Sequence, residues 1–417
     1  MTRIAAKGLA IGHLRSNVTL SSSGITLCLK RALLTVTHSD SRSAFCHTTE
    51  LAKWSGSQYK HKQLSKVNGL TFDERHARRV CSLTMGINEK LLRVGVAGVG
   101  TMGRHHVRLV GQSPGVALVG FYDPDPARAD EICRLHGCPC FDTLSELIDR
   151  ADALTVAAPT SLHAEIGSQC LEHGLHLMME KPLAHDLDAA ARLVELAQQA
   201  GVVLMVGHVE RYNPAVAKLI EILRENREEI ISIDARRLAP FDGSRCMDVD
   251  VLHDLLIHDI DLALEIADSP IKAVSAAGRA VFSSRLDMAN VRIEFQNRVT
   301  AVFWTGKCSP RKVRSLTVTT PTRYLKADTL AHALTVYSAE QLPAMIDGVC
   351  FMGNIRQETI QVPEEEPLRR EFDDFFRAIQ QGSKPIVDGQ RALRALKALT
   401  LVGRSISEGG ATVEEEK

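Results

Sequence analysis

Three groups of residues in this 417-residue chain combine types and spacings that can do chemistry. The first is Asp254-Leu255-Leu256-Ile257-His258, inside an otherwise apolar run. A spacing of four puts Asp254 and His258 on one helix face, and a carboxylate beside an imidazole tunes a general base near neutral pH. The second is Glu180-Lys181-Pro182, directly after the short apolar run His176–Met179. A lysine at the end of such a run, directed by Glu180, can hydrogen-bond a substrate hydroxyl. The third is Gly98-Val99-Gly100-Thr101-Met102-Gly103, a glycine pattern that lets backbone turn tightly and approach a pyrophosphate. Each group alone has a plainer reading: a core or surface histidine, a loop Lys-Pro, a Gly-rich turn. Together they supply a base, a hydroxyl-polarising cation and a dinucleotide site. That set suits removal of a proton from a secondary alcohol while hydride leaves its carbon.

The elements that must position these residues follow from periodicity. Leu92–Ala97 reads as a strand before the glycines, a helix continues through His106 to Val110, and Asp123 lies 20 residues beyond Gly103. Ala117–Asp123, Ala153–Ala157, His176–Met179 and Val202–Gly207 read as further strands. Helices Pro126–His136, Leu162–His173 and Leu187–Ala200 alternate with them. This alternation predicts an α/β class: a doubly wound parallel sheet, a Rossmann-type domain over residues 91–207. Gly98 would permit the tight turn, Gly100 the close approach of the anion, and Gly103 the packing of helix against strand, with Thr101 and Met102 among the cofactor contacts. Asp123 is expected to accept hydrogen bonds from an adenosine ribose diol and to repel a 2′-phosphate, so NAD is expected over NADP. Arg128, several residues into the next element, could blunt that preference.

Residues 208–408 change character. Helix Ala215–Glu225, strand Ile230–Arg237, a Pro/Gly/Asp-containing loop over Leu238–Asp248 and helix Val251–Ile266 lead into four alternating runs. Those runs, Ala289–Phe295, Val299–Thr305, Val313–Thr319 and Arg323–Ala327, predict an α+β domain with a large open, mostly antiparallel sheet. Helices Leu368–Gln381 and Gln390–Glu408 close the domain, and 409–417 is a tail. An open sheet invites burial against a second copy, so a homodimer or homotetramer is expected. The polar junction His208–Pro214 joins the domains. Arg211, Arg237 and Arg245 could grip a diphosphate through bidentate hydrogen bonds, or serve simply as surface arginines of polar loops. Tyr212 and Asn213 share the junction and are taken as substrate contacts with them.

Composition removes other classes. The 50 Lys and Arg balance 50 Asp and Glu, but residues 1–84 hold 13 of the former and 4 of the latter, leaving the rest acidic. An acidic body gives no reason to expect nucleic acid, and no run approaches a membrane span. Ten cysteines without a short spaced framework suit free thiols in a reducing, cytoplasmic setting. Cys138 and Cys140 lack the second pair a zinc site needs, so no metal is expected. Residues 1–84 show no sustained period and read as a basic, disordered or dispensable extension ahead of Met85. An organelle-targeting segment and a small separate domain are the alternatives. The Asn17-Val18-Thr19 sequon would matter only in a secretory lumen.

The order of GVGTMG, Asp123, Ala158-Pro159-Thr160 with His163, Glu180-Lys181-Pro182 and Asp254-x-x-x-His258 resembles the glucose–fructose oxidoreductase/inositol dehydrogenase (Gfo/Idh/MocA) family over roughly residues 91–408. The resemblance implies NAD(P)-dependent oxidation of a sugar or cyclitol hydroxyl. It implies Lys181, Asp254 and His258 as the catalytic group, with His258 the acid/base, Lys181 polarising the hydroxyl and Asp254 assisting both. It also implies cofactor contacts from Ala158, Pro159, Thr160, His163, Glu180 and Lys181. The stretches 207–214, 236–241 and 248–261 are similar to the family's UDP-N-acetylglucosamine 3-dehydrogenase branch. That branch implies oxidation of the sugar 3-hydroxyl to a 3-keto group, which an aminotransferase could convert to an amine. A dehydrogenase of inositol or a free sugar is the alternative within the class. A non-catalytic NAD-binding sensor is the alternative outside it, and it would have no need of Lys181, Asp254 and His258 together.

Overall fold

A computed structural model describes residues 17–21, 24–29, 32–38, 44–50, 91–227, 229–242, 249–339, 344–346, 349–351 and 355–415. The chain divides into two compact units, Met1–Lys90 and Leu91–Lys417. In the first, β1 (Asn17–Ser21), β2 (Gly24–Leu29), β3 (Ala32–His38) and β4 (Ala44–Glu50) pair in order as an antiparallel meander. The sequence reading favours a disordered or dispensable extension there, with a targeting segment or a small separate domain as alternatives. The backbone instead pairs four runs rich in Thr, Val, Ile and Leu, residue types that fit a pleated strand.

The second unit begins with the parallel sheet. Its strands are β5 (Leu92–Ala97), β6 (Val116–Tyr122), β7 (Ala153–Val156), β8 (His176–Met179) and β9 (Leu204–Val206), in spatial order β6-β5-β7-β8-β9. All four pairings are parallel. Strand β7 is buried throughout, as a sheet covered on both faces requires. The connecting helices are α1 (Gly103–Gln112), α2 (Pro126–His136), α3 (Leu144–Ile148), α4 (His163–Glu172) and α5 (Leu187–Ala200). Local chemistry sets their ends: Asp125 caps α2 ahead of Pro126 and Gly137 closes it at φ +64°, while Asp186 and Gly201 do the same for α5. The short α3 breaks no long period in the sequence and is the one helix here that periodicity did not predict.

A nine-stranded open sheet follows. Strands β10 (Ser232–Leu238), β11 (Ile271–Arg279), β12 (Met288–Phe295), β13 (Thr300–Gly306), β14 (Val313–Thr319), β15 (Arg323–Asp328), β16 (Ala333–Ala339), β19 (Ile355–Ile360) and β20 (Val413–Glu414) run in the order β19-β16-β15-β14-β10-β13-β12-β11-β20. Only β10–β13 is a parallel pair. A separate hairpin joins β17 (Ala344–Ile346) to β18 (Val349–Phe351). Register lines up Phe303, Ala235, Leu316, Ala327 and Leu334 as one buried row, and Ala301, Ile233, Val318, Leu325 and Val336 as the next. The opposite face presents Trp304, Arg236 and Asp328 to solvent. Helices α6 (Pro214–Asn226), α7 (Ile257–Ala267), α8 (Pro367–Gln381) and α9 (Gly389–Ser407) complete the unit, with α9 packed on α7, β11 and the Rossmann helix α5. No described helix is long and apolar enough to cross a membrane.

Candidate active site

The nucleotide end is built at the carboxyl edge of β5. Gly98 has φ +84°, and a Cβ there would lie 2.9 Å from the backbone of Ala157 and Ala158. A Cβ on Gly103 would lie 1.9 Å from the Gly98 carbonyl oxygen, so this glycine lets α1 seat against the strand. Gly100 differs: a Cβ there would meet only the Arg128 guanidinium, at 3.7 Å. The space beside Gly100 is otherwise open, room that a pyrophosphate could use. The start of α1 carries no side-chain cap, and Thr101 and Met102 just before it are exposed. Its first N–H groups are thus free of side-chain competition for an anion. At the end of β6, Asp123 accepts from the Val99 N–H at 2.8 Å and the Asp125 N–H at 2.9 Å. These bonds fix its carboxylate beside the glycine turn. Arg128 stands 3.8 Å from it.

Two loops meet at the carboxyl edges of β7 and β8. Ala158-Pro159-Thr160 opens a short 3-10 turn, and His163 follows, buried. The sequence reading places His163 on the cofactor. Its ring instead bridges the two loops, with Nδ1 2.8 Å from the Pro182 carbonyl and Nε2 3.0 Å from the Ala158 carbonyl. Glu180 faces inward as well. Its carboxylate meets His106 Nε2 at 3.1 Å and accepts the Lys181 N–H at 3.3 Å. Burial pushes the Glu180 carboxyl up, but His106 and Lys181 outweigh it and hold the group below its usual range. Glu180 therefore anchors the strand end from which Lys181 projects.

Asp254 and His258 occupy one irregular helix. The predicted helix over Val251–Ile266 is two pieces, a π-helical turn Leu252–Leu256 and then α7, with the Ile257 N–H bonded to the Leu252 carbonyl. Such widened turns recur at functional sites because they redirect side chains. Lys181 Nζ donates to the Asp254 carbonyl at 2.8 Å and lies 3.5 Å from its Oδ1. On the other oxygen, Lys307 Nζ is 3.0 Å from Oδ2. Burial would raise the Asp254 carboxyl, but the two ammonium groups dominate and keep it below the usual range. Burial, reinforced by Lys181 and Arg237, holds His258 well below the ordinary histidine value. The ring is therefore neutral at physiological pH and can accept a proton. Its Nδ1 is buried without a partner among the described residues. His208, at the carboxyl end of β9, stands edge-on to it with ring centroids 6.4 Å apart.

The predicted diphosphate grip is not what the geometry offers. Arg211 is buried and donates to Asp261 at 2.5 and 3.0 Å and pairs with Glu265 at 2.6 Å. Arg237 is buried and donates to Asp259 at 2.8 and 2.9 Å and to Glu210 at 2.9 Å. All of their forks are spent inside the protein. Tyr212 donates to Asp374 at 2.7 Å, and Asn213 caps α6 while donating to the Thr329 carbonyl. The junction is polar because it clamps α7, not because it faces solvent. Asp259 and Asp261, either side of Ile260, tie the helix to β10 and to the 209–212 turn. Breaking either buried pair would cost about 3–5 kcal/mol. Arg245 lies outside the described residues. Cys138 and Cys140 are free, half-buried thiols, with Cys138 pushed up to about 11 by burial. Among the described residues no cluster could hold a metal.

His106, His208 and Lys307 join the site without a motif to announce them. His208 lies in the polar junction without having been singled out, and Lys307 reaches Asp254 only through the sheet's tertiary path.

The match to known proteins is extensive. A family model described as an oxidoreductase family with an NAD-binding Rossmann fold (GFO_IDH_MocA) matches residues 92–208, and the GFO/IDH/MocA C-terminal domain matches residues 235–322. UDP-N-acetylglucosamine 3-dehydrogenase of Acidithiobacillus ferrooxidans is 31% identical over 310 residues, covering 74% of this chain and 95% of that one. A solved structure of that enzyme superposes with a TM-score of 0.70 at 29% identity, over 76% of this chain and 98% of the other. Inositol 2-dehydrogenase of Rhizobium meliloti is 23% identical over 328 residues, covering 76% of this chain and 97% of its own.

Proposed function

The chain belongs to the Gfo/Idh/MocA family of NAD(P)-dependent oxidoreductases acting on a sugar CH–OH, and from that premise we propose that it oxidises the 3-hydroxyl of UDP-N-acetylglucosamine to the 3-keto sugar. The observation that carries the chemistry is the convergence on Asp254 and His258 of a lysine from the Rossmann domain. Lys181 Nζ, anchored at 2.8 Å on the Asp254 carbonyl, is placed to hold the carbinol oxygen. Neutral His258 takes the hydroxyl proton as the carbon gives up its hydride. A bound nicotinamide dinucleotide supplies the hydride acceptor. The Gly100 opening and the uncapped start of α1 fit its pyrophosphate, and Asp123 fits its ribose diol, which favours NAD. Glu180, His106 and His163 hold the two loops that carry Lys181, and the Arg211 and Arg237 pairs hold the helix that carries His258. Removing the proton and the hydride from opposite ends of one C–O bond needs both positions fixed at once.

Support for the sugar nucleotide comes from the A. ferrooxidans relative, which matches along 95% of its length. With Arg211 and Arg237 committed, Arg314 on β14 is a partly exposed guanidinium among the described residues that could meet a diphosphate. Its side chain is 27% exposed and touches Glu210 at 3.4 Å. The solvent face of the large sheet exposes Val302, Trp304 and Tyr324, at 43%, 45% and 45%. Burial of that patch against a second copy is the proposed basis of a homo-oligomer.

The test is turnover of NAD followed by NADH absorbance with UDP-N-acetylglucosamine, myo-inositol and free glucose. UDP-N-acetylglucosamine should be the preferred substrate. NADH formation with myo-inositol but not with the UDP-sugar would overturn the assignment. Tight NAD binding with no turnover on any of them would favour a sensor.

A further inference from the structure

Lys307 belongs to no motif in this sequence. Its place is nevertheless built. It follows β13, and its N–H donates to the Asp287 carbonyl at 2.7 Å. Asp287 is itself locked: its Oδ2 accepts from the N–H groups of Val281, Phe282 and Ser283 at 2.7, 2.7 and 2.9 Å, which keeps its carboxyl down at about 2. From this platform the Lys307 side chain, 15% exposed, puts Nζ 3.0 Å from Asp254 Oδ2. Lys181 approaches the other oxygen at 3.5 Å. One carboxylate therefore serves two ammonium groups, and the three side chains together carry a net charge of +1. If Lys307 were absent, Lys181 and Asp254 would neutralise each other.

We propose that Lys307 is a positioning residue for the same reaction: it holds Asp254 from the side opposite Lys181 and leaves uncompensated positive charge beside the carbinol oxygen. This deepens the dehydrogenase reading and rests on it for the identity of the reaction, though not for the electrostatics. As hydride leaves carbon and the hydroxyl proton passes to His258, negative charge grows on the oxygen before the C=O bond is complete. A neutral Lys181–Asp254 pair would stabilise that charge less than a pair with a cation in excess. Burial is the largest cause that keeps His258 unprotonated, and the excess positive charge on the Asp254 cluster would add to it. The other groups that face this ring are Lys181 from the β8 loop, His208 after β9, Arg237 on β10 and Arg314 on β14. Lys307 stands outside that set and reaches the ring through Asp254, by leaving the Lys181–Asp254 pair a net positive charge.

The experiment is a carbon-detected NMR titration of His258 in the full-length apoprotein, comparing wild type with Lys307→Met, Lys307→Gln and Lys307→Arg. No substrate enters, so the result stands whether or not UDP-N-acetylglucosamine proves to be the sugar. Met and Gln should raise the His258 midpoint by about 0.5–1 pH unit, the scale of removing one nearby charge at an effective dielectric between those of protein and water. Arg should leave it near wild type. In parallel, kcat with NAD and UDP-N-acetylglucosamine should fall about tenfold for Met and Gln, with the acid limb of kcat/KM moving up by the same interval. Unchanged His258 titration in both Met and Gln would overturn the proposal, even if turnover fell, because a purely structural lysine would lower turnover without moving that midpoint. If Met fails to fold, Gln decides.

Discussion

Replacing Gly100 by alanine separates the job of binding an anion from the job of folding. The new methyl would meet only the far end of Arg128 at 3.7 Å, an ordinary contact. Gly100 is not among the glycines with positive φ, so alanine can adopt its backbone. Stability should then be unchanged or raised by about 0.4–1 kcal/mol through lost freedom of the unfolded chain. The methyl does, however, occupy the space through which a pyrophosphate would reach the backbone. Losing one hydrogen bond to a charged group costs about 1.5–3 kcal/mol, so Kd for NAD should rise about 10- to 150-fold. Calorimetric titration with NAD, paired with urea unfolding, reads both quantities. Gly103→Ala is the contrast, because its Cβ would fall 1.9 Å from the Gly98 oxygen and the fold should suffer directly. Wild-type affinity for NAD in folded Gly100→Ala would refute the assignment of this turn to the pyrophosphate.

Other changes report on other parts of the site. His258→Ala should lose about 10²–10⁴-fold in kcat while still binding NAD. In the wild type, the acid limb of kcat/KM should fall below the usual histidine value of 6.5, because a depressed base stays neutral to lower pH. Asp123→Ala should weaken NAD about tenfold more than NADP, since it removes both a ribose acceptor and the charge that repels a 2′-phosphate. An unchanged ratio of the two Kd values would contradict the ribose contact. Arg211→Met should destabilise the protein by about 3–5 kcal/mol in urea unfolding, leaving Asp261 buried without the guanidinium that pairs with it. A loss under about 1 kcal/mol would show that the clamp on α7 is elsewhere.

The parallel sheet could be read from sequence because its signals are local. A buried strand, three glycines and an acid at the next strand end lie within a few dozen residues, and each constrains the next. Lys181, Asp254 and His258 stand out in the sequence for the same reason, as short spacings on predictable elements, and the structure brings Lys181 onto Asp254. Residues whose roles depend on chain folded back from afar were not. Arg211 and Arg237 looked like anion binders, since an arginine in a polar run carries the same signature whether its partner is a ligand or a buried aspartate 22 to 50 residues on. Asp259 and Asp261, within the predicted helix Val251–Ile266, are those partners. His106 reaches Glu180 across 74 residues of sequence. The large sheet was undercounted at β11, β16, β19 and β20, the last lying in the segment read as a tail, and in β19 the exposed Ile355 blurs the alternation. The π-helical turn under Asp254 adds a residue to one helical turn with no local sequence mark.

The claim that carries the rest is that one carbinol carbon, held between Lys181 and His258, loses its hydrogen to the nicotinamide. UDP-N-acetylglucosamine carrying deuterium at sugar carbon 3 measures this directly, with NAD as acceptor and mass spectrometry of the reduced dinucleotide. The account predicts one deuterium in the NADH, a primary isotope effect when hydride transfer limits turnover, and a 3-keto sugar as product. Reduced dinucleotide formed without the label, at any rate, would contradict it.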